Sequence, residues 1–119
     1  MTQEYEILKG RTSTTFSGDL LSHTSSRRSN LQEFWTEYDI YRTVAGNYVV
    51  VILGKTIVPG KKLKVNIIKA ITPQAVVEAL KFKNKDGTIY ITHTAEDALG
   101  AAAENDPGLH DIYYKNHID

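Results

Sequence analysis

The chain contains no cysteine, which excludes disulfide frameworks, thiolate zinc sites and thiol nucleophiles while leaving the redox compartment open. No apolar run approaches the roughly 20 residues of a membrane-spanning helix. Met1 to Gly10 lacks the basic-then-apolar pattern of a secretory leader. The expectation is a cytoplasmic protein with no membrane partner. No Gly-rich loop opens a helix after a strand, and no nucleophile elbow is present. The histidines, His23, His93, His110 and His117, form neither HxH nor HExxH. No catalytic motif, metal set or cofactor is therefore implied.

What is present suffices for a core. At 119 residues the chain is expected to form one domain, 1–119, that buries roughly two thirds of its unfolded surface. Thr15 to Thr24 alternates as a half-buried strand, with Phe16, Gly18 and Leu20 on one face. From Phe34 to Val44 the alternation is clearer: Phe34, Tyr38, Ile40 and Val44 share one face, and Trp35, Glu37, Asp39, Tyr41 and Thr43 the other. Ala45-Gly46-Asn47 suits a tight hairpin turn. Tyr48 to Leu53 is continuously apolar, the pattern of a strand covered on both faces. Pro59-Gly60 marks the next turn, and Leu63, Val65, Ile67 and Ile71 alternate with Lys62, Lys64 and Asn66 as a strand whose lysines suit a sheet edge.

At Thr72-Pro73 the period changes. Thr72 can cap a helix that Pro73 opens, and Val76, Val77 and Leu80 form its apolar stripe. Thr88 to Thr92 can add a short strand. Thr94 to Asp97 resembles a capping box before an alanine-rich helix from Ala95 to Glu104, which Asn105-Asp106-Pro107-Gly108 ends. The form of the tail, residues 109–119, is left open. The fold class expected is α+β: an antiparallel meander of four strands, or five with Glu4 to Leu8, followed by two helices packed on one face.

Positive and negative charges balance, yet they are segregated. Residues 61–85 hold Lys61, Lys62, Lys64, Lys69, Lys81, Lys83 and Lys85 against Glu78 alone, and residues 86–119 hold seven carboxylates against Lys115. Such asymmetry either marks a binding surface or reflects neighbouring segments that neutralise one another. The lysines make nucleic acid a possible partner, although no recognisable nucleic-acid-binding motif accompanies them.

The constellation that stands out is Trp35, Glu37, Asp39 and Tyr41 on one strand face. Exposed aromatics flanking carboxylates suit a ligand site or a protein interface, whereas aromatics in strands commonly serve packing. Arg27 and Arg28 lie in a Ser-rich loop where adjacent guanidinium groups can clamp a phosphate or carboxylate, and Arg42 is a candidate to extend that patch. Glu96, Asp97 and Glu104, with Asp106, form a candidate acidic helix surface. His93 near Asp97, or His110 beside Asp111, is a candidate polarised base.

Thr24-Ser25-Ser26-Arg27, Trp35-Thr36-Glu37, Tyr41-Arg42-Thr43, Gly46, Tyr48-Val49-Val50 and Gly54-Lys55-Thr56 together resemble a family of small uncharacterised bacterial proteins carried on plasmids, prophages and other mobile elements. The resemblance spans roughly residues 15–80, its centre being the run FWTEYDIYRTVAGNYVVVILGKTIV. It implies no chemistry, but it implies a context in which a host or element-encoded macromolecule is bound. The leading expectation is a non-enzymatic interaction protein with a protein partner, in its sharpest form an inhibitor of a host defence system such as an anti-CRISPR or anti-restriction protein. The alternatives are a nucleic-acid-binding module using the lysine-rich strand and helix, and a small enzyme using Glu37 and Asp39 with a nearby histidine. A homodimer seam on the Trp35–Tyr41 face also remains open.

Overall fold

The computed structural model describes residues 2–61 and 63–117, with side chains described as far as Tyr114. Five strands, β1 (Gln3–Lys9), β2 (Thr12–Ser25), β3 (Phe34–Thr43), β4 (Tyr48–Thr56) and β5 (Lys64–Ala70), pair antiparallel in their order along the chain. Helix α1 (Pro73–Ala79) follows, then a separate small hairpin of β6 (Phe82–Lys83) and β7 (Ile89–Tyr90), then α2 (His93–Ala103) and α3 (Pro107–His117). The α+β meander is thus present with all five strands. The tail supplies a third helix beyond the two expected, and no helix among the described residues is long and apolar enough to cross a membrane.

Tyr48 to Val51 is apolar on both faces and is buried on both. On one face Tyr38, Ile40, Tyr48, Val50 and Ala70 meet Val76 and Leu80 of α1 and Ala95, Ala98 and Leu99 of α2. On the other face no helix packs among the described residues. There the sheet curls until β1 and β5, at opposite ends of the strand order, come into contact. Tyr41, Val49 and Val51 are covered by Tyr5, Ile7 and Phe16 from one side and Val65 and Ile67 from the other. Tyr5, Phe16 and Tyr41 form a ring cluster with centroids 4.8–5.6 Å apart, the offset and edge contacts that aromatic rings favour.

Two backbone features shape the curl. Between Leu20 and Ser22 the β2–β3 register shifts by one residue, a β-bulge. Leu21 and Ser22 consequently both turn to the helices: Leu21 is buried, Ser22 Oγ donates to the Ala98 carbonyl at 2.9 Å, and Asn105 Nδ2 donates to the Leu21 carbonyl at 2.9 Å. Leu20 is left exposed, so strict alternation along β2 does not hold. Gly18 lies so close to β3 that a Cβ there would strike the Arg42 carbonyl and approach Thr43 Cα at 2.9 Å. The β3–β4 turn is tight, with Gly46 at φ 91° and Gly46 N–H donating to the Thr43 carbonyl at 2.9 Å.

The helix signals resolve with one displacement. Thr72 Oγ1 caps α1 by accepting from Ala75 N–H at 3.1 Å, with Pro73 in its first turn. For α2 the cap is Thr92, which accepts from Ala95 N–H at 3.1 Å. Thr94, the expected cap, is instead buried within the first turn. Phe34, Val44, Leu63 and Ile71, expected on apolar faces, are exposed, because the helices cover only the middle of the sheet and β5 runs from Lys64 to Ala70.

The corner between α2 and α3 is tied to the sheet by one polar cluster. Asp106 is 5% exposed; its Oδ1 lies 2.6 Å from Arg42 Nη1, and its Oδ2 accepts from Tyr48 OH at 2.6 Å and from Leu109 N–H at 3.0 Å. Arg42 also stacks on the Tyr48 ring, 4.6 Å from its centroid. Burial pushes the Asp106 carboxyl up, but the bonds from Tyr48, Leu109 and Arg42 and the Arg42 charge outweigh it and hold it below its ordinary value. Burial, with the Asp106 bond and charge, pushes the Tyr48 hydroxyl from 10 up to about 12.

The stability contributed by Asp106 is accordingly complete above the ordinary carboxylate range and lost as pH falls through its lowered folded value. That of Tyr48 is complete below its ordinary value and lost as pH rises toward about 12. Asp106→Ala, which strands Arg42 and uncaps α3, should cost about 3 kcal/mol in urea unfolding. An unchanged urea midpoint would show that the Asp106 cluster adds nothing to a corner already held by apolar packing and the Asn105–Leu21 bond.

Candidate functional site

The face carrying Trp35, Glu37, Asp39 and Tyr41 is the inner, curled face rather than a flat wet one. Its Tyr41 end is closed: Tyr41 is 5% exposed and belongs to the ring cluster, so it is not an interface anchor. Its Trp35 end is open and polar. Strand register sets His23 opposite Asp39, Ser25 opposite Glu37 and Lys55 opposite Trp35. These side chains form a continuous chain of contacts.

His23 Nδ1 bonds Asp39 Oδ1, and His23 Nε2 lies 3.8 Å from Glu37 Oε1. Glu37 accepts from Trp35 Nε1 at 2.8 Å and pairs with Lys55 Nζ at 3.0 Å. Burial raises the Glu37 carboxyl, but the Trp35 and Lys55 bonds and the charges of Lys55 and His23 outweigh it, and the group sits below its ordinary value. Burial, the Asp39 charge and a bond to Asp39 push Tyr41 up to about 12. Both carboxylates are thus committed to neighbours. A cleft of about 690 Å³ adjoins this end; Trp35 and Lys55 line it, whereas His23, Glu37 and Asp39 do not. Among the described residues no three His, Cys, Asp or Glu side chains are grouped to hold a metal ion.

The Arg27–Arg28 loop meets the same end. The Arg27 guanidinium lies 4.1 Å over the Trp35 ring and donates to the Ser29 and Asn30 carbonyls, each at 3.2 Å. Arg28 Nη1 donates to the Ser25 carbonyl at 3.2 Å, while its N–H is held by Gln32 Oε1 at 2.8 Å. Arg27, Arg28, Trp35, Glu37 and Asp39 therefore gather at one end of the sheet. Arg42 does not: it sits near the opposite end of β3, engaged with Asp106 and Tyr48, and cannot extend the patch.

The other candidates disperse. On α2, Asp97 and Glu104 are exposed and Glu96 is half-buried, but Asp106 is locked to Arg42 and is not part of an acidic surface. His93 is exposed at the start of α2. His110 lies 4.0 Å from Asp111 with both side chains in solvent, and its ring packs on Tyr114. Of the lysine-rich segment, Lys61 and Lys64 line the cleft, Lys81 pairs with Glu78 at 3.1 Å, and Lys62 lies outside the described residues. The His117 side chain lies outside them as well.

Two members of the open end, His23 and Lys55, were not singled out by the sequence reading. His23 reaches Asp39 through the bulge: continued alternation from Phe16, Gly18 and Leu20 would turn it to the helices. The adjacent pair Leu20-Leu21 is the sequence trace of that shift. Lys55 follows from the Gly46 turn, which sets Arg42 opposite Tyr48 and hence Trp35 opposite Lys55.

Comparison with family models, with curated proteins and with solved structures gave no match.

Trp35 is the single tryptophan, so its fluorescence reports on this end. Arg27→Ala should raise acrylamide quenching of Trp35 and lower stability by about 0.5–1 kcal/mol, the size of a partly exposed cation–π contact. Arg28→Ala should leave quenching unchanged. Equal quenching in both variants would mean that Arg27 does not cover the ring.

Proposed function

We propose that the chain is a non-enzymatic binding module that docks a protein partner through the open end of its curled sheet. The observation carrying this reading is a set of exposed aliphatic side chains on the two loops at this end, the rim of the sheet. Leu31, Ile57 and Leu63 are 89%, 52% and 53% exposed, in the β2–β3 and β4–β5 loops, which are tied by Ile57 N–H donating to the Glu33 carbonyl at 3.2 Å. Apolar side chains exposed together and bordered by polar residues are the kind of surface that a protein partner covers. Arg27 and Arg28 border the rim and supply the polar margin that protein interfaces use.

An enzyme built on Glu37 and Asp39 is less well supported. An acid–base pair needs a substrate within hydrogen-bond reach, and the adjacent cleft is not lined by these carboxylates or by His23. A mobile-element origin, and with it inhibition of a host defence complex, rests on the sequence resemblance alone. Within that reading the open end is the better docking surface, because an acidic helix deprived of Asp106 presents only Asp97 and Glu104 as exposed carboxylates of its original four.

The test is affinity capture from nuclease-treated bacterial lysate with the tagged chain. Leu31→Asp/Leu63→Asp should abolish capture of a defined protein, and Asp97→Lys/Glu104→Lys should retain it. The reverse pattern would move the docking surface to α2. Capture of the chain by itself alone, with dimers in sedimentation equilibrium, would make the rim a homodimer seam.

A further inference from the structure

The cleft beside the rim differs from it in chemistry. Lys55, Lys61 and Lys64 line it together with the hydroxyl-bearing Ser26, Thr36 and Thr56, and among the described residues no carboxylate does. Lys55 is shared with Glu37, but Lys61 and Lys64 pair with no carboxylate among the described residues. The cleft therefore holds uncompensated positive charge and selects an anion.

Its apolar lining is aromatic only. Among the described residues Phe34 and Trp35 contribute and no Leu, Ile or Val does; the register puts Phe34 on the same face as Thr36, Thr56 and Lys64, whereas the Trp35 indole is turned to Glu37 on the other. Phe34 is 56% exposed, although a buried position was available two turns of the alternation further along β3, at Tyr38. An exposed flat ring beside lysines offers a stacking platform for a planar heterocycle. A volume of about 690 Å³ accommodates a group larger than a bare inorganic anion.

We propose that this cleft binds a nucleotide, its phosphate held by Lys61 and Lys64, with the hydroxyls of Thr36 and Thr56 at hand, and its base against Phe34. Lysines that track a phosphate backbone beside rings on which bases stack are the general means of holding single strands without sequence preference. The same chemistry serves a free nucleotide or one unit of a single-stranded nucleic acid. The site adjoins the aliphatic rim but is lined by different side chains, and its test needs no protein partner.

The test titrates the full chain with AMP, UMP and a fluorescein-labelled oligo(dT) of about a dozen nucleotides, following Trp35 fluorescence and label anisotropy. Binding should weaken as salt rises from about 50 to about 200 mM. Lys61→Glu/Lys64→Glu should weaken it at least about tenfold, and Phe34→Ala by about tenfold, the loss of one stacked base. Both substitutions are at exposed positions, and circular dichroism with an unchanged urea midpoint confirms folding. Binding of AMP or UMP as tight as that of the oligonucleotide assigns the free nucleotide; binding of the oligonucleotide alone assigns the single strand. Three results would overturn the proposal: no binding of any probe below about 1 mM, binding indifferent to both variants, or displacement of the oligonucleotide by polyglutamate at equal charge.

Discussion

A strand that is apolar on both faces must be covered on both, and that requirement on Tyr48 to Val51 organises the rest of the molecule. Leaving one face in water would expose Tyr48 and Val50, leaving the other would expose Val49 and Val51, and burying a large apolar side chain is worth about 1.5–3 kcal/mol. One face is covered by α1 and α2. The third helix, α3, packs on α1 and α2, so among the described residues the sheet supplies its own cover on the other face by curling until Tyr5 and Phe16 reach Tyr41. The bulge at Leu20–Ser22 and the absent side chain at Gly18 permit the curl, and the Arg42–Tyr48–Asp106 cluster fixes the helical layer against it.

The same arrangement creates the open end. The curl closes around Tyr41, Val49 and Val51, while further along β3 and β4 the inner face passes to Asp39, Glu37 and Trp35 and is no longer sealed. Half-buried carboxylates there are stabilised by His23, Lys55 and the Trp35 indole rather than by water. Beyond them the loops 26–33 and 57–63 bring aliphatic and basic side chains together. The function proposed for this end rests on exposed aliphatic and cationic side chains carried by two loops that are bonded to each other, not on any residue with recognisable chemistry.

Much of this was legible in the sequence, and the failures share a cause. Periodicity marked β3, the doubly covered β4 and the helix opened by Thr72-Pro73, because each rests on local alternation, spacing or capping. It also grouped Trp35, Glu37 and Asp39 on one face. It did not foresee that Tyr41, on that same face, would be sealed, since this depends on β1 arriving from the far edge of the sheet. Arg42 was grouped with Arg27 by type, whereas seven residues of extended strand separate Trp35 from Arg42, roughly 23 Å at the usual rise. Asp106 read as a surface carboxylate, and only the packing of α3 makes it a buried one. His23 was hidden by a one-residue register shift, which alternation cannot show.

Macromolecules are proposed to meet this chain at the open end of the sheet. Amide hydrogen exchange of the chain alone and in complex with its captured partner tests that claim most directly. The prediction is new protection confined to residues 26–37 and 54–64, with α2, α3 and the β6–β7 hairpin unchanged. Protection centred on α2 and α3, with the loops at the open end exchanging as fast as in the free chain, would contradict it.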